Sequence, residues 1–156
     1  MNKVSSFSVN LSGTWRLNQG ESFLGNEHPK PDYELTWILE QTQRDVRIHE
    51  IANNLSIVNI PLPNTSETME YTPDGREREV TRPGLFPGMP ERRLGTKAEW
   101  QADTFWIEER SYPNTSNSIT RRRIFLAEGG TKLIELRETN ALFGDTAQRL
   151  VFARIP

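Results

Sequence analysis

The chain contains no cysteine. Disulfides, thiolate nucleophiles and cysteine-based metal sites are therefore excluded, and a reducing compartment is permitted. Histidine is nearly as scarce, with only His28 and His49. Neither His-x-His nor His-Glu-x-x-His spacing occurs, so no metal is expected. A serine nucleophile elbow, Gly-x-Ser-x-Gly, is also missing. The glycines of "RPGLFPGMP" lack the spacing and the following helix of a phosphate loop. No basic excess exists: 19 Lys and Arg face 21 Asp and Glu, for a net charge of −2. A phosphate-tracking surface needs such an excess, so nucleic acid is not an expected partner. No run approaches the roughly 20 apolar residues that span a bilayer, so no membrane partner is expected either. The opening "MNKVSSFSVN" has one lysine and no apolar stretch of signal-peptide length, which predicts a cytoplasmic location.

What is present points to β-structure. The 156 residues suit a single domain, with 1–10 as a polar leader. Hydrophobic residues make up 35% and charged residues 26%, which predicts a core that is thin or hollow. Turn signals recur at short intervals, among them "NEHPKPD", "PLPNTS", "TPDG", "YPNTSN" and "AEGG". The runs between them are short and rich in Val, Ile, Leu, Thr, Trp and Phe. That pattern reads as an all-β sandwich or barrel, with room for a short helix or turn within 19–28. No stretch sustains a helical period.

Two hairpins can be read with their faces. In "ELTWILEQTQRDVRIHEIA", a two-residue turn at Gln43-Arg44 pairs Thr42 with Asp45 and sets Glu40 opposite Arg47. That charge pair marks a wet face. The inner face then carries Leu35, Trp37, Leu39, Gln41, Val46, Ile48, Glu50 and Ala52, with Glu50 opposite Trp37, while His49 points outward. In "TKAEWQADTFWIEERS", a turn at Gln101-Ala102 groups Ala98, Trp100, Phe105, Ile107 and Glu109 on the inner face. A third hairpin, "TRRRIFLAEGGTKLIELRET", has two mixed faces, and which of Arg121, Arg122 and Arg123 points inward stays open.

Taken in order, "GTWRLN", "ILEQTQRDVRI", "YTPDGRE", "KAEWQADTFWIEER", "ITRRRIFLAEGGTKLIELRET" and "LVFARI" resemble the lipocalin-like branch of the calycin superfamily, bacterial-type domains of about this length. The resemblance covers most of the chain. It implies an up-and-down antiparallel β-barrel of about eight to ten strands around a central cavity. It also gives the Gly-x-Trp stretch a role: Gly13 lets the chain bend into the first strand, and Trp15 plugs the closed end beneath Arg154 of the last strand. Haem-binding barrels of the nitrobindin type need an axial histidine near the end of the chain, and none follows His49, so no cofactor is expected.

Two functions of different class follow. One is a binding protein that holds a small apolar or amphipathic molecule against Trp37, Leu39, Ile48, Trp100, Phe105 and Ile107, gated by the 82–95 loop with Leu85, Phe86 and Met89 at its tip. The other is a cofactor-free cyclase, isomerase or hydratase that uses the same cavity, with Glu50 or Glu109 as general acid or base. The plainer reading of the two glutamates is pairing with an inward arginine of the "TRRR" strand. A filled barrel acting as an interaction module is a third reading. The oligomeric state is not legible.

Overall fold

In the strands, buried and exposed residues alternate as a one-sided antiparallel sheet requires. The computed structural model describes residues 9–57, 60–84, 88–112, 118–141 and 144–156, without the side chains of 57 and 112. Thirteen strands occur among them: β1 (Gly13–Leu17), β2 (Phe23–Leu24), β3 (Glu34–Gln41), β4 (Val46–Asn53), β5 (Ser56–Ile57), β6 (Ile60–Pro61), β7 (Thr65–Tyr71), β8 (Arg78–Arg82), β9 (Arg92–Gln101), β10 (Thr104–Tyr112), β11 (Ile119–Ala127), β12 (Lys132–Ala141) and β13 (Gly144–Ile155). A 3-10 turn at Gln19–Glu21 follows β1.

Ten strands form the wall, in the order β7-β4-β3-β1-β13-β12-β11-β10-β9-β8, and β2 adds to β13. Every pairing is antiparallel, and β1 joins the first half of the chain to the last strand. The wall is therefore an up-and-down barrel, open along one seam. β7 and β8 follow each other in the chain, yet each is hydrogen-bonded on one side only. Side chains cross that seam instead: Arg82 of β8 reaches the Tyr71 hydroxyl at 3.3 Å and the Met69 sulfur on β7.

Alternation of direction puts the connections 42–45, 72–77, 102–103 and 128–131 at one end, with both chain ends of the wall. The strand ends Leu17, Asn53, Arg82, Tyr112 and Ala141 lie at the other. We call these the turn end and the loop end.

The β3–β4 register places Trp37 opposite Glu50 and Glu40 opposite Arg47, and Leu35, Trp37, Leu39, Val46, Ile48 and Ala52 are buried. Thr42 closes the turn: its hydroxyl accepts from the Asp45 amide at 2.9 Å. The β9–β10 turn lies one residue later than the sequence reading put it, at Ala102-Asp103, with Gln101 opposite Thr104. Pairing partners move by two positions, so every side chain keeps its face. Ala102 takes φ 52, the left-handed conformation of a tight hairpin. The long 82–95 loop is also corrected. Arg82 belongs to β8 and Arg92–Gly95 to β9, paired Arg82 to Arg92 and Val80 to Leu94, so the connection shrinks to 83–91. Leu85 and Phe86 lie outside the described residues, and Met89 is exposed.

No helix among the described residues is long and apolar enough to cross a membrane. The outer face carries charge pairs such as Arg47 with Glu70 and Lys97 with Glu108.

Candidate functional site in the barrel interior

The turn end is shut. Residues 9–12 run beneath the barrel, held by Gln41, whose side chain accepts from the Leu11 amide at 2.9 Å and donates to the Val9 carbonyl at 3.0 Å. Trp15 is fully buried above them, and its indole N–H donates to the Leu11 carbonyl at 3.1 Å. The Arg154 guanidinium lies 4.3 Å from the Trp15 ring centroid and donates to the Ser12 carbonyl at 3.1 Å. Gly13 makes room for it. Its φ is +148, and an added Cβ would sit 2.7 Å from Arg154 Nη1. A side chain there meets both backbone strain and the stacked guanidinium.

Above the plug lies an apolar layer. Trp37 stacks on Phe152 with centroids 4.3 Å apart, and Leu39, Ile48, Phe105, Ile107, Ile124 and Leu133 are buried around them. Trp100 is half-buried, 5.0 Å from Phe105 between centroids. The structure therefore brings Trp37, Leu39, Ile48, Trp100, Phe105 and Ile107 together on one inner wall.

Toward the loop end the inner wall becomes charged. Arg122 is the inward member of the triplet; Arg121 is exposed, and Arg123 lies 5.4 Å from the Trp106 ring centroid. Arg122 is 2% exposed and Glu135 on β12 is fully buried; Arg122 Nε and Nη2 each lie 2.6 Å from Glu135 Oε2. Arg122 Nη1 also donates to the Tyr71 hydroxyl at 3.1 Å and lies 3.5 Å from Glu109. Glu109 is in turn 3.3 Å from Arg82 Nη2, and Glu135 Oε1 is 2.7 Å from Arg137. Glu50 accepts the Trp37 indole N–H at 2.8 Å. Thus Glu109 is clamped between two guanidiniums, whereas Glu50 is held by a neutral donor.

This cluster sets its own electrostatics. Burial works against the charge of Arg122, but Glu135 first, with Glu109 and Glu50, more than offsets it and holds the guanidinium charged. Burial pushes the Tyr33 phenol up to about 12, Glu50 adds to that, and Arg137 pulls the other way. Tyr71 is raised by burial and then by Glu109, against Arg122 and Arg82. Among the described residues, no group of His, Asp and Glu side chains is placed to hold a metal ion.

Sequence reasoning missed Tyr33, Glu67, Tyr71, Arg82, Glu135 and Arg137 as interior groups. One signal was available. In "KLIELRE", Leu133, Glu135 and Arg137 alternate on one face, matching Arg122 across the hairpin. The apolar Ile134 and Val151 argue for the opposite face, yet they are paired and buried on the outside, beside Glu21 and Lys132.

Fold and site together define an all-β, up-and-down antiparallel barrel, opened at one seam and with a charged layer on its inner wall. No family model matches the chain, and no curated protein sequence does. Among solved structures it is similar to apo lipid binding protein 8 of Caenorhabditis elegans, with TM-score 0.62, 10% identity, and coverage of 97% of this chain and 100% of that one. It is also similar to zebrafish ileal bile acid-binding protein complexed with cholic acid, with TM-score 0.57, 13% identity, and coverage of 92% and 98%. These are a nematode and a fish protein, not the bacterial-type domains of the sequence resemblance, and the agreement is one of fold.

Proposed function

We propose that the barrel holds one small amphipathic molecule, its apolar body against Trp37, Leu39, Ile48, Trp100, Phe105 and Ile107 and its polar end toward the loop end. One observation carries this reading: a gradient of exposure along the inner wall. Trp15, Trp37, Leu39, Ile48, Phe105 and Ile107 near the plug are shut off from solvent, and Trp100 is half-buried. Inward Glu67 and Arg137 keep 28% and 29% side-chain exposure. Solvent therefore reaches the charged layer, and the apolar layer lies directly beneath it. An apolar cavity with a few convergent polar groups is the usual form of a small-molecule site. The two structural neighbours, one a lipid binding protein and one complexed with cholic acid, support the same reading.

For the cyclase, isomerase or hydratase reading, the geometry favours scaffolding at Glu109, which two arginines already engage. Titration with the uncharged probe N-phenylnaphthylamine tests the binding reading. Saturable one-to-one enhancement of probe emission, altered by Trp37→Phe and Trp100→Phe, is the expected result. An unchanged titration in both variants places binding elsewhere, and no saturable binding overturns the proposal.

A further inference from the structure

Resting on that reading, we propose that the polar end of the ligand is a cation, so that the barrel selects an apolar molecule ending in a protonated amine over one ending in a carboxylate. The inner wall carries three arginines, Arg82, Arg122 and Arg137, and four glutamates, Glu50, Glu67, Glu109 and Glu135, among the described residues. Every one of these guanidiniums already meets a carboxylate. Arg122 is held by Glu135 and Glu109, Arg137 by Glu135, and Arg82 by Glu109. A ligand carboxylate would meet guanidiniums these partners already neutralise. Of their sealed nitrogens, only Arg122 Nη2 and Arg137 Nε lack a hydrogen-bond acceptor among the described residues, and displacing a partner to reach more leaves it unpaired in the interior, which is costly.

Glu50 and Glu67 are held more loosely: Arg122 acts on Glu50 only through space and Arg82 reaches Glu67 only at 3.9 Å. They sit directly opposite each other on β4 and β7, both facing inward. Like charges so placed destabilise a strand pair. Glu50 has the indole N–H of Trp37, a neutral donor. The nearest cationic nitrogen to Glu67 is Arg82 Nε at 3.9 Å, beyond hydrogen-bond reach. Among the described residues, Glu67 Oε1 is sealed from solvent and has no hydrogen-bond donor. An ammonium has three donors and no acceptor, so one placed between the two carboxylates satisfies both and relieves their repulsion. The Trp37 ring below Glu50 continues into the apolar layer, which is the surface a hydrocarbon body would meet.

The test is displacement of N-phenylnaphthylamine by dodecylamine, dodecanol and dodecanoate near neutral pH, on the wild type and on Glu67→Gln and Glu50→Gln. Charge-assisted hydrogen bonds predict that dodecylamine displaces the probe at concentrations about tenfold below dodecanol, with dodecanoate weakest. Glu67→Gln should shrink the amine's advantage over dodecanol. Dodecanoate binding as tightly as the amine overturns the proposal, as does an amine advantage that survives in both variants. A probe that never binds takes down the binding reading and this one with it, whereas a probe displaced by dodecanol and dodecanoate alone sinks only the cation.

Discussion

Replacing Arg122 by methionine tests whether the charged layer is a built structure. The side chain is 2% exposed and its partner Glu135 is fully buried, with two nitrogens 2.6 Å from one carboxylate oxygen. Arg122→Met leaves Glu135 with Arg137 alone, at 2.7 Å, and leaves Glu109 with Arg82 alone, at 3.3 Å. Breaking one side of a buried pair costs about 3–5 kcal/mol, because the remaining charge stays desolvated. For a domain of this size that is a fall in Tm of roughly 6–20 °C. The double variant Arg122→Met, Glu135→Leu removes both charges with side chains of similar bulk, and such replacements are often neutral or stabilising. Arg137 then turns to the solvent it already touches. Urea unfolding followed by tryptophan emission measures both. A single variant within about 1 kcal/mol of wild type, judged against the expected cost, refutes the reasoning. So does a double variant as unstable as the single, since the cost would then come from shape and not from charge.

Trp15→Ala should cost about 3–5 kcal/mol, the range for truncating a buried aromatic, and a thermal shift of a degree or two would rule out the plug. Gly13→Ala should cost about 1–3 kcal/mol from strain at positive φ, with the stacked Arg154 displaced; an unchanged melting curve would show that the stack does not depend on this glycine. Tyr33 titrates at about 12 and Tyr71 is raised too, so tyrosinate absorbance of the folded chain near pH 10 should report at most one of its three tyrosines. An unfolded phenol ionises near 10, so stability should fall as pH rises from about 10 to about 12; three phenols ionising together near 10 in folded protein contradict this. Glu109→Gln should lower the melting temperature by leaving Arg82 and Arg122 less compensated, while conversion of any bound molecule stays unchanged. A large loss of turnover without a loss of stability would instead restore the acid–base reading.

The β3–β4 hairpin was legible because one external charge pair, Glu40 with Arg47, fixes its wet face, and the period of two does the rest. The same logic failed on β11–β12. It assumes that charge marks the outside, but here Arg122, Glu135 and Arg137 point in while Ile134 and Val151 are buried on the outer side. A mutually neutralising set inverts the pattern, and composition cannot show that its members meet. The seam was equally hidden. "YTPDGRE" reads as an ordinary hairpin turn, and the Asp74-Gly75 step does turn the chain, with Gly75 at φ 73. Yet β7 and β8 do not pair beyond it, and Arg82 spans the seam to Met69, Tyr71 and Glu67. Sequence gave Glu50 its place opposite Trp37; it could not give Glu50 its second neighbour, Glu67, which depends on how β7 returns after the 54–64 connection.

If one small molecule occupies the barrel interior, native mass spectrometry will find it on protein purified from its own host, and again after incubation with dodecylamine, dodecanol and dodecanoate together. The expected result is a single one-to-one adduct, with the amine favoured in the mixture, that weakens when Ile48 or Ile107 in the apolar layer is replaced by glutamate in a variant that still folds. A chain that flies bare from both preparations, under conditions gentle enough to keep it folded, contradicts it.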